Sequence, residues 1–231
     1  MANIAPGDRS EGAGVPRAAA RSRMTREESR AQTRERLLDA AREAFARSGF
    51  HGASVDEIAS SAGFSTGALY SNFDGKEDLF LELMEREIAE HAREIAEAVR
   101  ARSSVSERAT GGARRWMMMI EREPDLLLLF TEFWSYGVRD AQVRPKVAER
   151  FAQVRQTLTL LIAEGVRDFD LELALPAEQL AIAIDALADG IARQKLADPD
   201  TVPDELMGTV LSLLFAAATR PAAGTEPRSA P

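Results

Sequence analysis

Apolar residues recur every three or four positions along most of this chain, and this spacing constrains the fold more than any other feature. Between residues 25 and 219, Ala, Leu, Glu and Arg dominate, and no run alternates apolar with polar residues as a half-buried strand would. The spacing predicts helices nearly throughout and no strand. We therefore expect an all-α protein.

The chain ends differ from this helical body in composition. Residues 1–24 and 220–231 are rich in Ala, Gly, Pro, Arg and Ser and nearly lack large apolar side chains, so we predict a disordered arm and a disordered tail. The net charge is −8, yet the stretch 17–36 holds seven arginines against three glutamates. This basic stretch is either the one end that meets a polyanion or a solvated arm.

The scarcity of cysteine and histidine excludes several kinds of chemistry. The chain has no cysteine and two histidines, His51 and His91, which removes disulfide frameworks, Cys-ligated zinc and thiol nucleophiles. It contains no glycine-rich phosphate loop, no H-x-x-x-H pair and no nucleophile elbow. We predict no catalytic residue, no metal site and no cofactor, and we expect that the protein is not an enzyme.

The apolar runs are too short for a membrane helix. The densest runs, 116–120 and 126–130, are five residues each, whereas a membrane helix needs about 18 apolar residues. The first 24 residues contain no apolar core like that of a secretory signal. We expect a cytoplasmic protein without a membrane partner.

Capping and breaking residues place the first helices. Segments 25–28 and 54–57 have the S/T-x-x-E form of a capping box, and segment 74–77 is a weaker version. The first helix is predicted to begin between residues 25 and 33 and to stop at Gly49. Two short helices follow, 54–61 and one that begins at Ser65 and reaches Phe73, with a turn at Gly63 between them.

Prolines and glycines divide the rest of the chain into longer helices. Residues 103–112, which include Gly111 and Gly112, are predicted to form a looser connection. Gly165 is predicted to end the helix that contains it. The predicted helices are 74–102, 124–138, 145–165, 176–197 and 203–219.

Two short helices joined by a glycine turn and braced by a preceding helix are the parts of a helix-turn-helix unit, whose second helix lies in the major groove of DNA. Any all-α protein can contain such a pair, so the individual residues must decide. The residues that do so are Thr33-Arg34-Glu35-Arg36-Leu37-Leu38-Asp39-Ala40-Ala41, Phe45, Gly49-Phe50, Ser54, Ile58-Ala59, Ala62-Gly63-Phe64-Ser65, Gly67, Leu69-Tyr70, Phe73, Lys76-Glu77 and Leu79-Phe80.

These residues resemble the DNA-binding signature of TetR-family transcription regulators. The resemblance implies a three-helix, helix-turn-helix DNA-binding domain over residues 25–80 and a helical domain for ligand binding and dimerisation over residues 81–219. It also implies that Tyr70 donates to a DNA phosphate. Many family members have His where this chain has Asn72, so the resemblance implies a polar DNA contact at Asn72.

The chemistry of the predicted third helix indicates which residues meet DNA. Its first turn consists of small residues, so the backbone can approach base edges, and Thr66 is the first candidate for direct readout. Lys76 can add a charge at a phosphate, and Ser54 can bind a phosphate or only cap its helix. The predicted DNA-binding residues are Ser54, Ser65, Thr66, Gly67, Ala68, Tyr70, Asn72 and Lys76.

Bulky apolar side chains cluster in the middle of the second domain. A stripe of Met and aromatic residues at helical spacing is more often ordinary core, but family members commonly carry an inducer site among these helices. The resemblance therefore implies an unknown small-molecule effector. His91 and Glu132 are expected at the surface. The predicted pocket residues are Trp116, Met119, Phe130, Phe133 and Trp134.

The last two predicted helices carry more apolar residues than one narrow stripe. Paired with a second copy across a two-fold axis they would form a four-helix bundle, although these faces could also pack only on the chain's own body. The predicted dimer residues are Leu180, Ile184, Leu187 and Ile191 on one helix and Leu206, Val210 and Leu213 on the next.

Together these features predict a homodimeric repressor that leaves a near-palindromic double-stranded DNA operator when it binds a small molecule. The alternative is a helical ligand-binding or interaction module in which the helix-turn-helix no longer binds DNA.

Overall fold

A computed structural model describes residues 25–222 of the chain. The described part is helical almost throughout, which confirms the predicted fold class. The predicted arm, 1–24, and most of the predicted tail, 223–231, lie outside the described residues. The elements are α1 (Arg26–Gly52), α2 (Val55–Ser61), α3 (Thr66–Tyr70), α4 (Lys76–Arg100), α5 (Val105–Arg122), α6 (Pro124–Gly137), α7 (Arg144–Asp168), β1 (Leu171–Leu173), α8 (Ala177–Ala197), α9 (Leu206–Ala218) and β2 (Thr219–Pro221).

The two strands contradict the expectation of no strand and of a tail that begins at residue 220. β1 and β2 pair in antiparallel register, with Leu171 opposite Pro221 and Leu173 opposite Thr219. The backbone N–H of Ala222 then donates to the carbonyl of Asp170 at 2.9 Å. Strands of three residues are too short to show alternation in a sequence, so only the folded chain reveals this pairing.

α1 begins with the predicted capping box and changes direction at the predicted glycine. The Thr25 hydroxyl accepts from the N–H of Glu28, whose carboxylate accepts from the N–H of Thr25. Gly49 has φ +69°, a conformation that favours glycine, and α1 resumes for one more turn. The Glu132 carboxylate accepts from the N–H groups of Phe50 and His51 at 3.1 Å each and thereby caps this last turn.

The other two predicted start signals are wrong in detail. The Ser54 side chain makes no capping bond at the start of α2, although its backbone carbonyl begins the helix. At the start of α4 the N-cap residue is Gly75, and the N–H of Asp74 donates to the carboxylate of Asp78 instead of pairing with Glu77. The start of α3 is as predicted, with the Ser65 hydroxyl accepting from the N–H of Ala68.

Two predicted helix breaks are also wrong, because tertiary packing overrides glycine's low helix propensity. α5 runs through Gly111 and Gly112, where α4 approaches closely: a Cβ on Gly112 would lie 2.9 Å from the Val99 side chain. α7 continues through Gly165 to Asp168. The glycines in α5 therefore provide close helix contact and not a loose connection.

Two main cores divide the described chain. The first joins α1, α2 and α3 to the first half of α4 and to the end of α6, and the second lies among α5, α7, α8 and α9. α4 and α6 are long enough to leave the first core and enter the interior of the second domain, residues 81–219, which we call the body. Of the described helices, none combines the length and apolar composition needed to cross a bilayer.

Candidate DNA-binding surface and interior cavities

The turn between α2 and α3 is fixed by its backbone and by α1. Gly63 has φ +77°, and the N–H of Phe64 donates to the carbonyl of Ala59 at 2.8 Å. From α1, the Arg36 guanidinium donates to the carbonyl of Ala62 at 2.8 Å and lies 4.8 Å from the centroid of the Phe64 ring. The backbone bond within the turn and the Arg36 contacts from α1 together fix the angle between α2 and α3.

The first turn of α3 presents small side chains at the surface. Ser65 and Gly67 are exposed, and Thr66 and Ala68 are partly exposed. The Thr66 hydroxyl donates to the Asp56 carboxylate of α2 at 2.6 Å. This bond orients the hydroxyl and leaves its lone pairs for a donor on a base edge. Direct readout by Thr66 stays a prediction.

Two predicted phosphate contacts have free hydroxyl groups. Tyr70 is 59% exposed at the end of α3, and Ser54 is exposed before α2. Neither side chain makes a hydrogen bond with any described residue. Because Ser54 does not cap its helix, its hydroxyl can donate to an anion.

Asn72 and Lys76 are engaged inside the protein. The Asn72 amide donates to the carbonyl of Ala68 at 2.8 Å, and its Oδ1 is buried. The Lys76 ammonium donates to the carbonyls of His51 and Ala53 at 3.3 and 3.2 Å, near the end of α1. These side chains hold the domain together, and a DNA contact by either stays a prediction.

Two arginines in the described part of the basic stretch, Arg34 and Arg36, are used for packing. Arg34 donates to Glu82 and to the carbonyl of Asn72, and its guanidinium lies 4.4 Å from the centroid of the Phe73 ring. Arg36 binds the α2–α3 turn as described above. The positive charge of these two arginines is therefore directed at the protein's own acceptors, and contact of the basic stretch with a polyanion stays a prediction.

Two apolar cavities lie inside the body, with volumes of about 170 and 150 Å3. The larger lies among α4, α5, α7, α8 and α9, and the smaller among α4 to α8. They share a common wall, so the two cavities adjoin each other. The shared residues are Ile95, Trp116, Val154, Leu158, Leu161 and Asp185.

Three of the five predicted pocket residues line these cavities, and two do not. Trp116, Met119 and Phe130 line the smaller cavity. Phe133 is instead buried in the first core, with its ring stacked on Phe80 at 4.5 Å, and Trp134 is 40% exposed. The expectation for these two is wrong because α6 passes from the body to the DNA-binding domain, so Phe133 faces the first core and Trp134 faces outward.

The cavities also contain ionisable side chains that the sequence pattern did not assign to a pocket. In the smaller cavity, Arg150 forms an ion pair with Glu85 at 3.0 Å, and Asp189 pairs with Arg193 at 3.0 Å. Asp185 makes no hydrogen bond or ion pair with a described residue. Burial, and then the nearby charge of Asp189, raises the pKa of Asp185 to about 6.

A signal for these carboxylates was present in the sequence. Asp185 and Asp189 are four residues apart in an otherwise apolar stretch of α8, so they share one face of the helix. Carboxylates on an apolar helix face are rare unless they are paired or functional. His91 was expected at the surface, but its ring is mostly buried and lines the smaller cavity.

One group of described residues has the donor atoms for a metal ion: Glu87, His91 and Glu123, whose ligand atoms lie within 4.8 Å of one another. Arg42 forms ion pairs with both glutamates, and Arg86 also pairs with Glu87. The two carboxylates therefore already balance guanidinium charges. The geometry favours a salt-bridge network between α1, α4 and α5 over a cation site.

The predicted dimer stripe on α8 faces the chain's own interior. Leu180, Ile184 and Ile191 are buried, and Leu187 packs partly buried against the second core. This part of the dimer prediction is wrong because α8 uses that stripe to cover α7 and α5. On α9, Val210 is half-buried, and Leu206 and Leu213 are exposed, together with Ile182 on α8.

Both halves of the chain match models of known protein families. Residues 37–83 match the model described as "Bacterial regulatory proteins, tetR family". Residues 106–218 match the model described as "BetI-type transcriptional repressor, C-terminal". The first match covers the helix-turn-helix, and the second covers most of the helices around the cavities.

Full-length relatives and solved structures agree with these matches. The chain is 30% identical to the transcriptional regulator TtgR of Pseudomonas putida, over 81% of this chain and 90% of the relative. It is 29% identical to the transcriptional activator FasR of Mycolicibacterium smegmatis, over 74% of each chain. The fold is similar to that of FadR from Bacillus subtilis in complex with stearoyl-CoA, with a TM-score of 0.62, 18% identity, and coverage of 83% and 99%.

Proposed function

The chain belongs to the TetR family of bacterial transcription regulators, and we propose that it is a repressor whose dimer leaves its operator when a small molecule enters the interior cavities. DNA-binding regulation of transcription is the activity of the family. The direction of regulation, the dimer, the near-palindromic operator and the site of the effector are the proposal.

The continuous helix α4 carries this proposal. In its first half, Leu79 and Phe80 are fully buried in the core that holds the helix-turn-helix. In its second half, Ile88, His91 and Ile95 line the cavities. Because a helix of 25 residues is stiff, a ligand that displaces the second half also tilts the first half and the DNA-binding domain packed on it.

α6 is a second connection between the same two regions. Phe130 lines the smaller cavity, and one turn later Phe133 stacks on Phe80. Glu132 caps the last turn of α1. Tyr136 donates to Glu77, and this hydrogen bond, followed by burial, raises the pKa of Tyr136 to about 12. The hydrogen bond attaches α6 to the start of α4.

The exposed groups on α2 and α3 fit a duplex. In our proposal α3 lies in the major groove with the first turn, 65–68, at the base edges, and the hydroxyls of Ser54 and Tyr70 donate to phosphates on either side. Phosphate contacts orient the protein, while base contacts specify the sequence. Ala68 adds a methyl group that can pack on a thymine methyl.

An exposed apolar face on α8 and α9 supports the dimer. Ile182 on α8 and Leu206 and Leu213 on α9 are exposed in the single chain, and Leu213 is 66% exposed. Two copies of this helix pair related by a two-fold axis would form a four-helix bundle that covers these side chains. Such a dimer carries two α3 helices and therefore requires two half-sites.

Repression is favoured by the match of residues 106–218 to a repressor-type domain. The activator FasR among the relatives makes activation the second candidate. A small-molecule effector is supported by the adjoining apolar cavities in the body. FadR, which shares the fold, holds stearoyl-CoA in its solved structure.

Selection from a pool of random DNA duplexes tests the proposal and identifies the operator in the same experiment. We expect enrichment of a near-palindrome whose half-sites are about 10 base pairs apart, or a multiple of one helical turn. In vitro transcription from a promoter that carries the selected sequence should then decrease when the protein is added. Failure to enrich any sequence would contradict the proposal, and increased transcription would establish the activator alternative.

A further inference from the structure

Asp185 occupies a distinctive position in the two cavities. Among the charged side chains that line them, it alone lies in the wall that both cavities share. Its carboxylate makes no hydrogen bond and no ion pair with any residue in the described range 25–222. A partly buried carboxylate without a partner is costly in free energy, and a ligand can relieve that cost by supplying one.

The nearby positive charges do not neutralise Asp185. Arg155 and Arg193 are close enough to affect its pKa, but Arg155 forms its ion pair with Glu178 at 3.3 Å and Arg193 with Asp189 at 3.0 Å. The electrostatic preference at the shared wall is therefore for a positive group.

The cations that line the cavities are already paired. Arg150 binds Glu85 at 3.0 Å, and Arg108 binds Asp168 at 2.7 Å. The buried Nε of Arg150 and the ring nitrogens of His91 make no hydrogen bond with a described residue, so an anionic ligand would find single donors in the smaller cavity but no unpaired guanidinium. A cationic ligand would find Asp185 unpaired and the indole of Trp116, which lines both cavities, available for a cation–π contact.

The shape of the cavities limits the rest of the ligand. Each has a volume of about 150 to 170 Å3 and mostly apolar walls, and an apolar cavity of roughly 150 Å3 accommodates a benzene molecule. Asp185 lies between them. A ligand that fills both cavities therefore has an apolar group on each side of the point where it meets the carboxylate.

We propose that the effector is a molecule with one positively charged nitrogen between two apolar groups of about benzene size, and that the nitrogen binds Asp185. This inference rests on the proposed function, because it takes the cavities to be the effector site. It adds the charge and the shape of the ligand, and it assigns Asp185 as the residue that selects the charge.

Three probes of nearly equal shape test the inference: dibenzylamine, which is cationic at pH 7.5, dibenzyl ether, which is neutral, and dibenzylacetate, which is anionic. The reporter is the fluorescence of Trp116 in the full chain with Trp134→Phe, which leaves Trp116 as the only tryptophan of the original two. We expect the amine to bind about 10-fold to 100-fold more tightly than the ether, because a charge-assisted hydrogen bond is formed only with the amine.

Asp185→Asn removes the charge with little change of shape. It should weaken dibenzylamine binding about 10-fold or more and change dibenzyl ether binding less than about 3-fold, so the ether also shows that the variant is folded. The matched control is Glu97→Gln on α4, an exposed carboxylate that lines neither cavity. This control should change the ratio of amine to ether affinity by less than about 3-fold.

The outcomes separate this inference from the proposed function. Equal binding of amine and ether, tighter binding of the acid, an unchanged ratio in Asp185→Asn, or no binding of any probe would overturn the inference. If the ether alone releases the selected operator, the proposed function stands and the charge selection fails. If the amine binds through Asp185 without changing operator affinity, the charge selection stands and the proposed release mechanism fails.

Discussion

The helix-turn-helix unit and the body of the protein differ in how completely they fill their interiors. In the first, Ile58, Leu69 and Phe73 are almost fully buried. In the second, Trp116 and Leu158 remain partly buried beside two cavities. Dense packing fixes one geometry, whereas unfilled apolar space gives up dispersion contacts that a ligand can restore. The comparison indicates a rigid DNA-binding unit and a body that a ligand can tighten.

Phe133 provides the largest test, because it lies in the core where α6 meets the DNA-binding domain. Phe133→Ala should lower the free energy of unfolding by about 3 to 5 kcal/mol, through lost burial and a new cavity. Denaturation in urea measures the change. The matched control is Leu128→Ala on the same helix, where the side chain is 57% exposed and the expected change is within about 0.5 kcal/mol. Similar losses in both variants would contradict the assignment of Phe133 to a tightly packed junction.

The second test concerns the exposed face of α8 and α9. Leu213→Glu should weaken the dimer by several kcal/mol, about 100-fold or more in dissociation constant, because each copy would bury a carboxylate in the seam. Analytical ultracentrifugation measures the effect. Leu128→Glu, at an exposed position of α6, should leave the dimer intact. A stable Leu213→Glu dimer would place the interface elsewhere.

The third test uses the pKa of Asp185. Burial raises this pKa from 3.8 to about 6, so the folded chain binds a proton more readily than the unfolded chain. Below pH 3.8 the Asp185 carboxyl is protonated in both the folded and the unfolded chain and does not affect the free energy of unfolding. Between pH 3.8 and 6 its ionisation lowers the free energy of unfolding increasingly, and above pH 6 this loss stays constant. Asp185→Asn should therefore increase the free energy of unfolding by about 1 to 3 kcal/mol at pH 7.5 and by less at pH 4.5.

The charged groups near Asp185 determine its pKa and therefore the pH range over which the stability changes. Asp189 raises its pKa from the same helix, and Arg155 on α7 and Arg193 on α8 lower it. Urea denaturation at both pH values measures the change, and Asp189→Asn, which unlike Asp185→Asn loses an ion pair, is the comparison variant. Destabilisation by Asp185→Asn at pH 7.5 would show that the carboxylate has a stabilising partner.

The fourth test compares two serines that the sequence presents as equivalent helix caps. Ser65→Ala should cost about 0.5 to 2 kcal/mol, because the hydroxyl of Ser65 accepts from the N–H of Ala68 at 3.2 Å. Ser54→Ala should cost less than about 0.5 kcal/mol, because the Ser54 side chain caps nothing. Thermal unfolding distinguishes the two. A larger loss from Ser54→Ala would mean that its hydroxyl does cap α2.

The smallest expected effect is on DNA affinity. Tyr70→Phe should weaken binding by about 2-fold to 10-fold on all duplexes alike, because a phosphate contact carries no base information. Stability should be unchanged, since the Tyr70 hydroxyl makes no hydrogen bond with a described residue. Titration of a selected operator and of an unrelated duplex measures both affinities, and a loss confined to the operator would assign Tyr70 to base readout.

Local sequence signals were sufficient to predict much of the structure of the DNA-binding domain. The capping box at 25–28, the turn at Gly63 and the Ser65 cap depend on residues within a few positions of one another, and the structure confirms all three. Most of the other helices and their approximate bounds were also predictable, because apolar spacing and prolines are local signals, but α5 was not predicted as a helix. The DNA contacts of the site residues remain predictions.

Long-range contacts explain most of what the sequence did not predict. Glu132 lies 82 positions from Phe50, whose N–H donates to its carboxylate, and no local pattern signals such a cap. The stripe of Leu180 and Ile184 looks equally suited to a partner and to the chain's own α7, so only packing distinguishes them. The role of Phe133 depends on which core the end of α6 enters. Asp185 was missed although its place in an apolar helix was visible.

The central claim is that a ligand in the body changes the separation of the two α3 helices in a dimer. The chain has no cysteine, so a spin label at Ser60→Cys, an exposed position of α2, gives one label per copy. Double electron–electron resonance then measures the distance between copies. With the selected operator we predict a single narrow distance that matches α3 helices roughly 34 to 36 Å apart. With saturating dibenzylamine we predict a different distance and loss of operator binding. The same distance distribution in both states, with the amine shown to be bound by Trp116 fluorescence, would contradict the account.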